Sequence, residues 1–417
     1  MRGGHTLARV NILLINHYAG NPALGMEFRP YYLAREWVRL GHRVQIVAAD
    51  FSHVRATQPP AGDSVVDGIH YRFYKTPGYQ GNGVGRVKNI WTFLRQLWAD
   101  TPRLLSAAKP DVVIASSTYP MDIWVARRIA RQAGAKLVYE VHDLWPLSPI
   151  ELSGMSRRHP FIMLCQAAED AAYRDADVVV SMLPKVHGHM AGRGLDLKKL
   201  HIVPNGITLD EWPQERQAEP PPLRDDVALA LQVAALGQGT VVGYAGSMGE
   251  PNALDGLLDA AALLRHEALR FVLVGSGHLH AHLAARVQAE GLTNVSLLPP
   301  IPKAQVPAFL AQVHIAYIGW QRVPLYRFGI APNKLMDYMM ARCTVLHSVE
   351  AGNDPVAEAG CGLTVPPQDA QAVAAGLRRL AALPASERRA MGERGRAFVL
   401  AHHTYPVLAQ RFIEAVS

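Results

Sequence analysis

The sequence predicts an α/β protein made of two doubly wound domains. Three observations carry this. Short Val- and Ile-rich runs recur along all 417 residues, with helix-length stretches between them. Many of the runs do not alternate apolar with polar residues, as expected of strands covered on both faces of a parallel sheet. Each connection is long enough for a right-handed crossover helix. A chain of this length also exceeds one ordinary core and fits two domains.

In the first half the predicted strands cover residues 10–15, 44–48, 69–74, 112–115, 136–141, 178–181 and 201–203. Segments 28–40 and 121–132 between them carry apolar residues at helical spacing. In the second half the strands cover 241–245, 271–274, 295–298, 314–318, 344–347 and 362–365. Residues 370–417 read as three helices. The boundary shows in composition: Pro204-Asn205-Gly206-Ile207 ends the first series, and residues 211–226 are polar and proline-rich, with Pro220-Pro221-Pro222.

Composition narrows the class. With 49% hydrophobic and 18% charged residues the chain is globular, which excludes disorder, collagen and coiled coil. Three cysteines without a CxxC spacing exclude a disulfide framework and a zinc ribbon, and favour a reducing compartment. Arg2 and Arg9 precede an apolar run too short for a signal peptide, and no run approaches the 18 residues of a membrane span. A soluble or peripheral protein is expected. Residues 1–200 hold 25 Lys and Arg against 16 Asp and Glu, net +9, whereas residues 201–417 hold 17 against 19, net −2. A basic half suits anionic lipid, nucleic acid or phosphorylated ligands, or is simply a solvated surface.

Ligands of doubly wound sheets bind beyond the carboxyl ends of the strands. Those positions are glycine-rich here: strand 241–245 runs into Gly246-Ser247-Met248-Gly249 with a helix near Asn252, and strand 271–274 into Gly275-Ser276-Gly277. Glycine there lets a phosphate reach backbone N–H groups at a helix start, or merely makes a tight turn. The strongest local feature is residues 326–339, Tyr-Arg-Phe-Gly-Ile-Ala-Pro-Asn-Lys-Leu-Met-Asp-Tyr-Met. Pro332 suits the first helical position and Ala331 is a poor cap, which leaves the helix start open to an anion. Lys334 in the first turn opposes the helix dipole, a penalty that a bound phosphate reverses. Asp337 shares its face, so Asn333, Lys334 and Asp337 suit a phosphate and ribose; an intrahelical ion pair is the plainer alternative. Arg322 and Arg327 add positive charge upstream.

In the first half Gly20, Gly25, Glu27 and Arg29 follow the first strand and precede a helix. His142-Asp143 ends strand 136–141 and reads as an acid/base or orienting pair, against the default of a surface histidine. Gly81-Asn82-Gly83-Val84-Gly85-Arg86 has Arg where a dinucleotide fingerprint needs its third Gly. Asp175-Ala176-Asp177 reads as a helix end entering a strand rather than a metal site. Residues 85–108 form an amphipathic helix with Trp91, Trp98 and several cations, which suits a membrane interface or a core-facing helix.

Taken together, these features resemble the retaining glycosyltransferases of family 4, with the GT-B architecture: two Rossmann-like domains facing across a cleft. Segment 328–339 is similar to the FGxSPNKLFDYM variant of bacterial capsule, O-antigen and exopolysaccharide transferases, and Gly25–Trp37 to the same subgroup. The resemblance implies an acceptor domain at 1–207, a nucleotide-sugar domain at 208–395 and a C-terminal helix at 396–417 that crosses back. It places Asp337 where the family's EGFGxPxxEAM motif holds the donor ribose, and Gly329 where that motif has its first Glu. Ser247 and Asn252-Ala253 stand where an Arg and a Lys are usual. The implied donor-binding residues are Gly246, Ser247, Asn252, Gly275, Ser276, Gly277, Arg322, Arg327, Asn333, Lys334 and Asp337. His142, Asp143 and Lys334 are the implied catalytic residues, and Gly20, Gly25, Glu27 and Arg29 border the acceptor. The implied partners are a UDP-sugar, a polyprenyl-diphosphate-linked or saccharide acceptor and the anionic inner membrane face, bound peripherally through Trp91 and Trp98 from the cytoplasm. Nucleic acid and an obligatory metal or other cofactor are not expected. A nucleotide-sugar 2-epimerase and a non-catalytic nucleotide-sugar-binding module are the alternatives.

Overall fold

The structure, a computed structural model, describes residues 9–25, 28–81, 83–212, 221–236 and 239–417. It divides into two compact units: the described residues up to Asn205 together with Tyr405–Ser417, and Gly206–Thr404.

In the first unit the strands are β1 (Asn11–Ile15), β2 (Arg43–Ala49), β3 (Gly62–Val66), β4 (Ile69–Tyr74), β5 (Val112–Ala115), β6 (Lys136–Val141), β7 (Val178–Ser181) and β8 (Leu200–Ile202). They form one sheet in the order β3-β4-β2-β1-β5-β6-β7-β8. All pairs are parallel except β3 with β4. The four residues of β5 and of β7 are buried, which explains the unbroken apolar runs Val112–Ala115 and 178–180. The sequence reading lacks β3. It is a mostly exposed edge strand joined to β4 through Asp67-Gly68, whose φ values of +49° and +78° suit a two-residue hairpin turn.

The second unit holds β9 (Thr240–Ser247), β10 (Leu269–Ser276), β11 (Val295–Leu298), β12 (Ile315–Gly319), β13 (Thr344–Ser348) and β14 (Gly362–Val365). Its order is β11-β10-β9-β12-β13-β14, parallel throughout. Chain direction across each sheet reverses once, between β1 and β5 and between β9 and β12. The crevice at such a point is where doubly wound sheets take their ligands.

The expected C-terminal helix at 396–417 needs correction. Residues 396–402 complete the helix Ala385–His402, whose Val399 is buried in the second unit's core. A separate helix, Tyr405–Val416, packs in the first unit against the helix Phe28–Arg39. Tyr405 stacks on Tyr32 with centroids 4.8 Å apart, Phe412 meets Trp37 edge-on at 5.0 Å, and the Trp37 indole N–H donates to Ala409 O. Burial of Phe412 alone is worth about 1.5–3 kcal/mol.

Candidate functional site

In the second unit the ends of β9 and β10 and the start of the helix Asn333–Met340 line a cavity of about 620 Å3. Gly246, Ser247, Asn252, Gly275, Ser276, Asn333, Lys334 and Asp337 all border it, so eight of the expected donor residues come together. Gly275 has a packing reason as well, since a Cβ there would lie 1.9 Å from Gly246 O. Gly277 does not line the cavity, and its missing Cβ makes room for Met248 O instead.

Local structure fixes the helix start. Asn353 holds the Ile330 peptide from both sides: Ile330 N–H donates to Asn353 Oδ1 at 2.7 Å, and Asn353 Nδ2 donates to Ile330 O at 3.1 Å. Pro332, at φ −77° and ψ 124°, stands one residue before the helix rather than at its first position, a one-residue correction. It has no side-chain acceptor, so the first turn has no side-chain cap, and Pro332, Asn333 and Lys334 at this helix start line the cavity. The Tyr338 hydroxyl, bonded to both N and O of Ala245 at 3.1 and 3.3 Å, ties the helix to β9.

Lys334 and Asp337 do not pair with each other. Lys334 Nζ donates to Tyr244 Oη at 2.8 Å and Asn252 Oδ1 at 2.5 Å, and lies 4.5 Å from the centre of the Tyr244 ring. Among the described residues it forms no ion pair with a carboxylate. Burial pushes its pKa down to about 8. Asp337, 8% exposed, accepts from Lys303 Nζ at 2.6 Å. Burial raises its pKa even so, with Lys303 acting in the opposite sense. Trp320 and Tyr326, with rings 5.0 Å apart, also line the cavity.

Arg322 and Arg327 are not part of this cavity. They line a separate hollow with Glu350 and Gly352, where Arg322 pairs with Glu350 at 3.4 Å and the Arg327 guanidinium lies over the Phe328 ring at 4.3 Å. The second cation of the site is Lys303. Sequence reasoning missed it, as it missed Tyr244 and Trp320, and it gave Tyr326 no role within its motif. Lys303 follows the proline-rich turn after β11, and its strand-end position was the one available signal.

In the first unit, His142 at the end of β6 bonds to Ser116 Oγ at 2.9 Å and approaches Glu140 Oε2 at 3.3 Å. Ser116 Oγ donates to Glu140 Oε2 at 2.6 Å. The hydroxyl proton being committed to Glu140, Ser116 can only accept from His142, which puts a proton on Nε2 and leaves Nδ1 as the ring's second polar atom. Burial would raise the Glu140 pKa, but Arg29, then His142 and Ser116, outweigh it and hold the carboxyl at about 2. The expected His142–Asp143 pair is absent: Asp143 instead accepts from Leu144 N–H at 2.9 Å and Ser148 Oγ at 2.5 Å.

The expected acceptor residues have structural employment. Arg29 is 5% exposed and donates to Glu140 at 3.0 Å, Pro204 O at 2.6 Å and Val203 O at 2.8 Å. Little of the guanidinium remains for a ligand. Gly20 is buried and accepts from the Tyr71 hydroxyl at 3.1 Å. Gly25 sits at φ +93°, and a Cβ there would lie 2.9 Å from Ala56 N. Glu27 lies outside the described residues. The helix Val84–Ala99 turns Ile90, Phe93, Leu94 and Leu97 into the core and leaves Trp91 63% and Trp98 44% exposed. The core-facing reading therefore holds for one face of that helix; on the other, Trp91 is exposed and the Arg128 guanidinium lies 4.3 Å from the centre of the Trp98 ring. No helix among the described residues is long and apolar enough to cross a membrane.

Residues 25–206 match the family described as glycosyl transferase 4-like domain, and residues 239–382 match glycosyl transferases group 1. The putative colanic acid biosynthesis glycosyl transferase WcaI of Escherichia coli K12 is 23% identical over 282 residues, covering 66% of this chain and 67% of that protein. Sucrose-phosphate synthase from Thermosynechococcus elongatus superposes with a TM-score of 0.69 at 17% identity, covering 97% of this chain and 98% of its own. HepE from Anabaena, in complex with UDP and glucose, superposes with a TM-score of 0.64 at 15% identity, covering 97% and 99%. With a glycosyltransferase family matched on each sheet and GT-B glycosyltransferase structures matching along nearly its whole length, the chain belongs to the family 4 glycosyltransferases of GT-B architecture.

Proposed function

We propose that the enzyme takes a sugar from a nucleoside diphosphate donor, UDP-linked, and delivers it with retained anomeric configuration to a hydroxyl of a lipid-linked or saccharide acceptor in surface polysaccharide biosynthesis. One observation carries the donor assignment. Lys334 is held by two neutral oxygens at an uncapped helix start, inside a cavity of about 620 Å3. A buried ammonium without a carboxylate is costly, and a diphosphate repays that cost with charge-assisted hydrogen bonds. WcaI, by its name a colanic acid enzyme, and HepE, with UDP bound, support this donor and product class.

In this reading the second unit binds the donor. Lys334, the first-turn N–H groups and the Gly246 and Gly275 turns take the diphosphate, with Ser247, Asn252, Ser276 and Asn333 around it. Asp337, steadied by Lys303, accepts from the ribose hydroxyls. As the bond from the sugar's anomeric carbon to the diphosphate breaks, the acceptor oxygen bonds to that carbon on the same face. The acceptor's proton passes to the departing phosphate oxygen. Lys334 stabilises the charge that develops there, and no resident metal is needed. His142 addresses the acceptor in the first unit. The cytoplasmic face of the membrane, reached through Trp91 and Trp98, is the proposed site of work.

The test is release of UDP from UDP-glucose, UDP-galactose and UDP-N-acetylglucosamine, each with and without a polyprenyl-diphosphate-linked sugar. The proposal requires release from at least one donor that depends on the acceptor. Release that ignores the acceptor, or none from any donor, contradicts it.

A further inference from the structure

The first unit holds a second cavity, of about 740 Å3, that the donor chemistry does not use. Val87 and Ile90 of the helix Val84–Ala99 line it from one side, and Trp145, Leu152, Phe161 and Leu164 from the other. The Trp145 and Phe161 rings meet edge-on at 5.9 Å. Its volume is that of a ligand pocket. Apolar surface continues outside: Val84 is 85% exposed, Leu152 57% and Leu164 42%. On a water-facing protein such continuity marks a binding surface rather than scattered exposure.

The polar side chains in the lining are those of Arg86, Asp143, Ser148, Ser153 and His159. Arg86 borders the cavity with its guanidinium 5.7 Å from the centre of the Trp145 ring, and its Nε donates to Tyr18 Oη at 3.1 Å. Asp143 also borders it, but Oδ1 already accepts two hydrogen bonds, from Leu144 N–H and Ser148 Oγ. Asp143 directly follows His142, so the cavity begins two residues past the end of β6. The surrounding half of the chain carries net charge +9. An apolar trough with a cation at its border, in a basic unit, complements an aliphatic chain that ends in an anionic head group. One wall is a helix, which offers no strand edge to an extended peptide.

We infer that this cavity binds the aliphatic chain of an anionic amphiphile, and that the chain is the lipid part of the acceptor. The second clause rests on the transferase reading; the first does not. Burial of each methylene favours binding by roughly fourfold when complete, so affinity must grow with chain length.

The experiment is titration of the full chain with farnesyl diphosphate, geranyl diphosphate and inorganic diphosphate, each below its aggregation limit. UDP is titrated in parallel to read the second unit. The double variant Val87→Asp, Leu152→Asp changes exposed positions and leaves the core untouched. The expected result is saturable binding of farnesyl diphosphate at least tenfold tighter than geranyl diphosphate, and tighter still than inorganic diphosphate. The double variant is expected to lose at least tenfold for farnesyl diphosphate with UDP affinity unchanged. Equal affinities for the three probes, or full farnesyl diphosphate binding by the double variant, overturn the inference. So does sedimentation with phosphatidylglycerol vesicles without saturable binding of the soluble probes, which marks a flat membrane contact. Farnesyl diphosphate binding as expected with no UDP binding supports the cavity and removes the transferase reading.

Discussion

Glu140 Oε2 lies 3.3 Å from His142 Nε2, and Ser116 Oγ bridges the two at 2.6 and 2.9 Å. Glu140 is the penultimate residue of β6 and His142 the first residue beyond it, the two-residue spacing that puts side chains on one face of an extended segment. A carboxylate held ionised on one side of the imidazole fixes Nε2 as the protonated nitrogen. His142→Ala is expected to lower turnover by roughly 10²-fold, the scale for a reactant left mispositioned, because His142 orients the acceptor while the departing phosphate takes its proton. The Kd for UDP, read by calorimetry, is expected to stay within about twofold. A parallel loss of UDP binding sinks this assignment.

Arg29 holds the structure rather than a ligand. Arg29→Ala leaves Glu140 buried and without its cation, and is expected to cost roughly 3–5 kcal/mol in urea unfolding. The Glu140 carboxyl is at about 2 folded against 4.5 unfolded, so the unfolded chain takes up the proton first as pH falls. This stability is complete above pH 4.5 and disappears between pH 4.5 and 2. Glu140→Gln, though less stable, is expected to show a shallower acid loss in that window. Equal slopes contradict the pairing.

Lys334 titrates in the opposite direction. Its folded pKa of about 8 lies below the ordinary 10.5, so folding releases a proton between those values and wild-type stability rises with pH across them. At pH 7 the buried charge costs up to about 3 kcal/mol, and Lys334→Met is expected to recover part of it. Melting temperatures of both proteins from pH 7 to 10 check this: the gap is expected to narrow as pH rises. A constant gap indicates an unperturbed lysine.

Asp337 and Lys334 are expected to separate by probe. Asp337→Asn weakens uridine and UDP alike, roughly tenfold to a hundredfold, as loss of one charged hydrogen bond predicts. Lys334→Ala weakens UDP and leaves uridine unchanged. Equal effects of Lys334→Ala on the two ligands place the lysine away from the phosphates.

The parallel strands were legible because burial on both faces makes them continuous apolar runs, as in β5 and β12. β3 was not, since an exposed edge carries no apolar signal; Asp67-Gly68 between two β-prone runs was the available cue. Lys334 and Asp337 were readable from one helix turn, but their partners Asn252 and Lys303 lie 82 and 34 residues away. Local spacing cannot show such pairs, which is also why the near neighbours Arg322 and Arg327 were preferred to Lys303. Arg29 misled for a related reason: its partners, Glu140 and the Val203 and Pro204 carbonyls, come from distant parts of the chain. His142 was found by its strand-end position and wrongly matched to its sequence neighbour, although alternation along β6 favoured Glu140.

The most direct measurement is calorimetric titration of the wild type and Lys334→Ala with UDP and with GDP. A UDP affinity that falls at least about tenfold in the variant, roughly 1.4 kcal/mol, is the result this account predicts. No binding of either nucleotide to the wild type contradicts it, and the helix Asn333–Met340 is then an uncapped helix with no donor at its start.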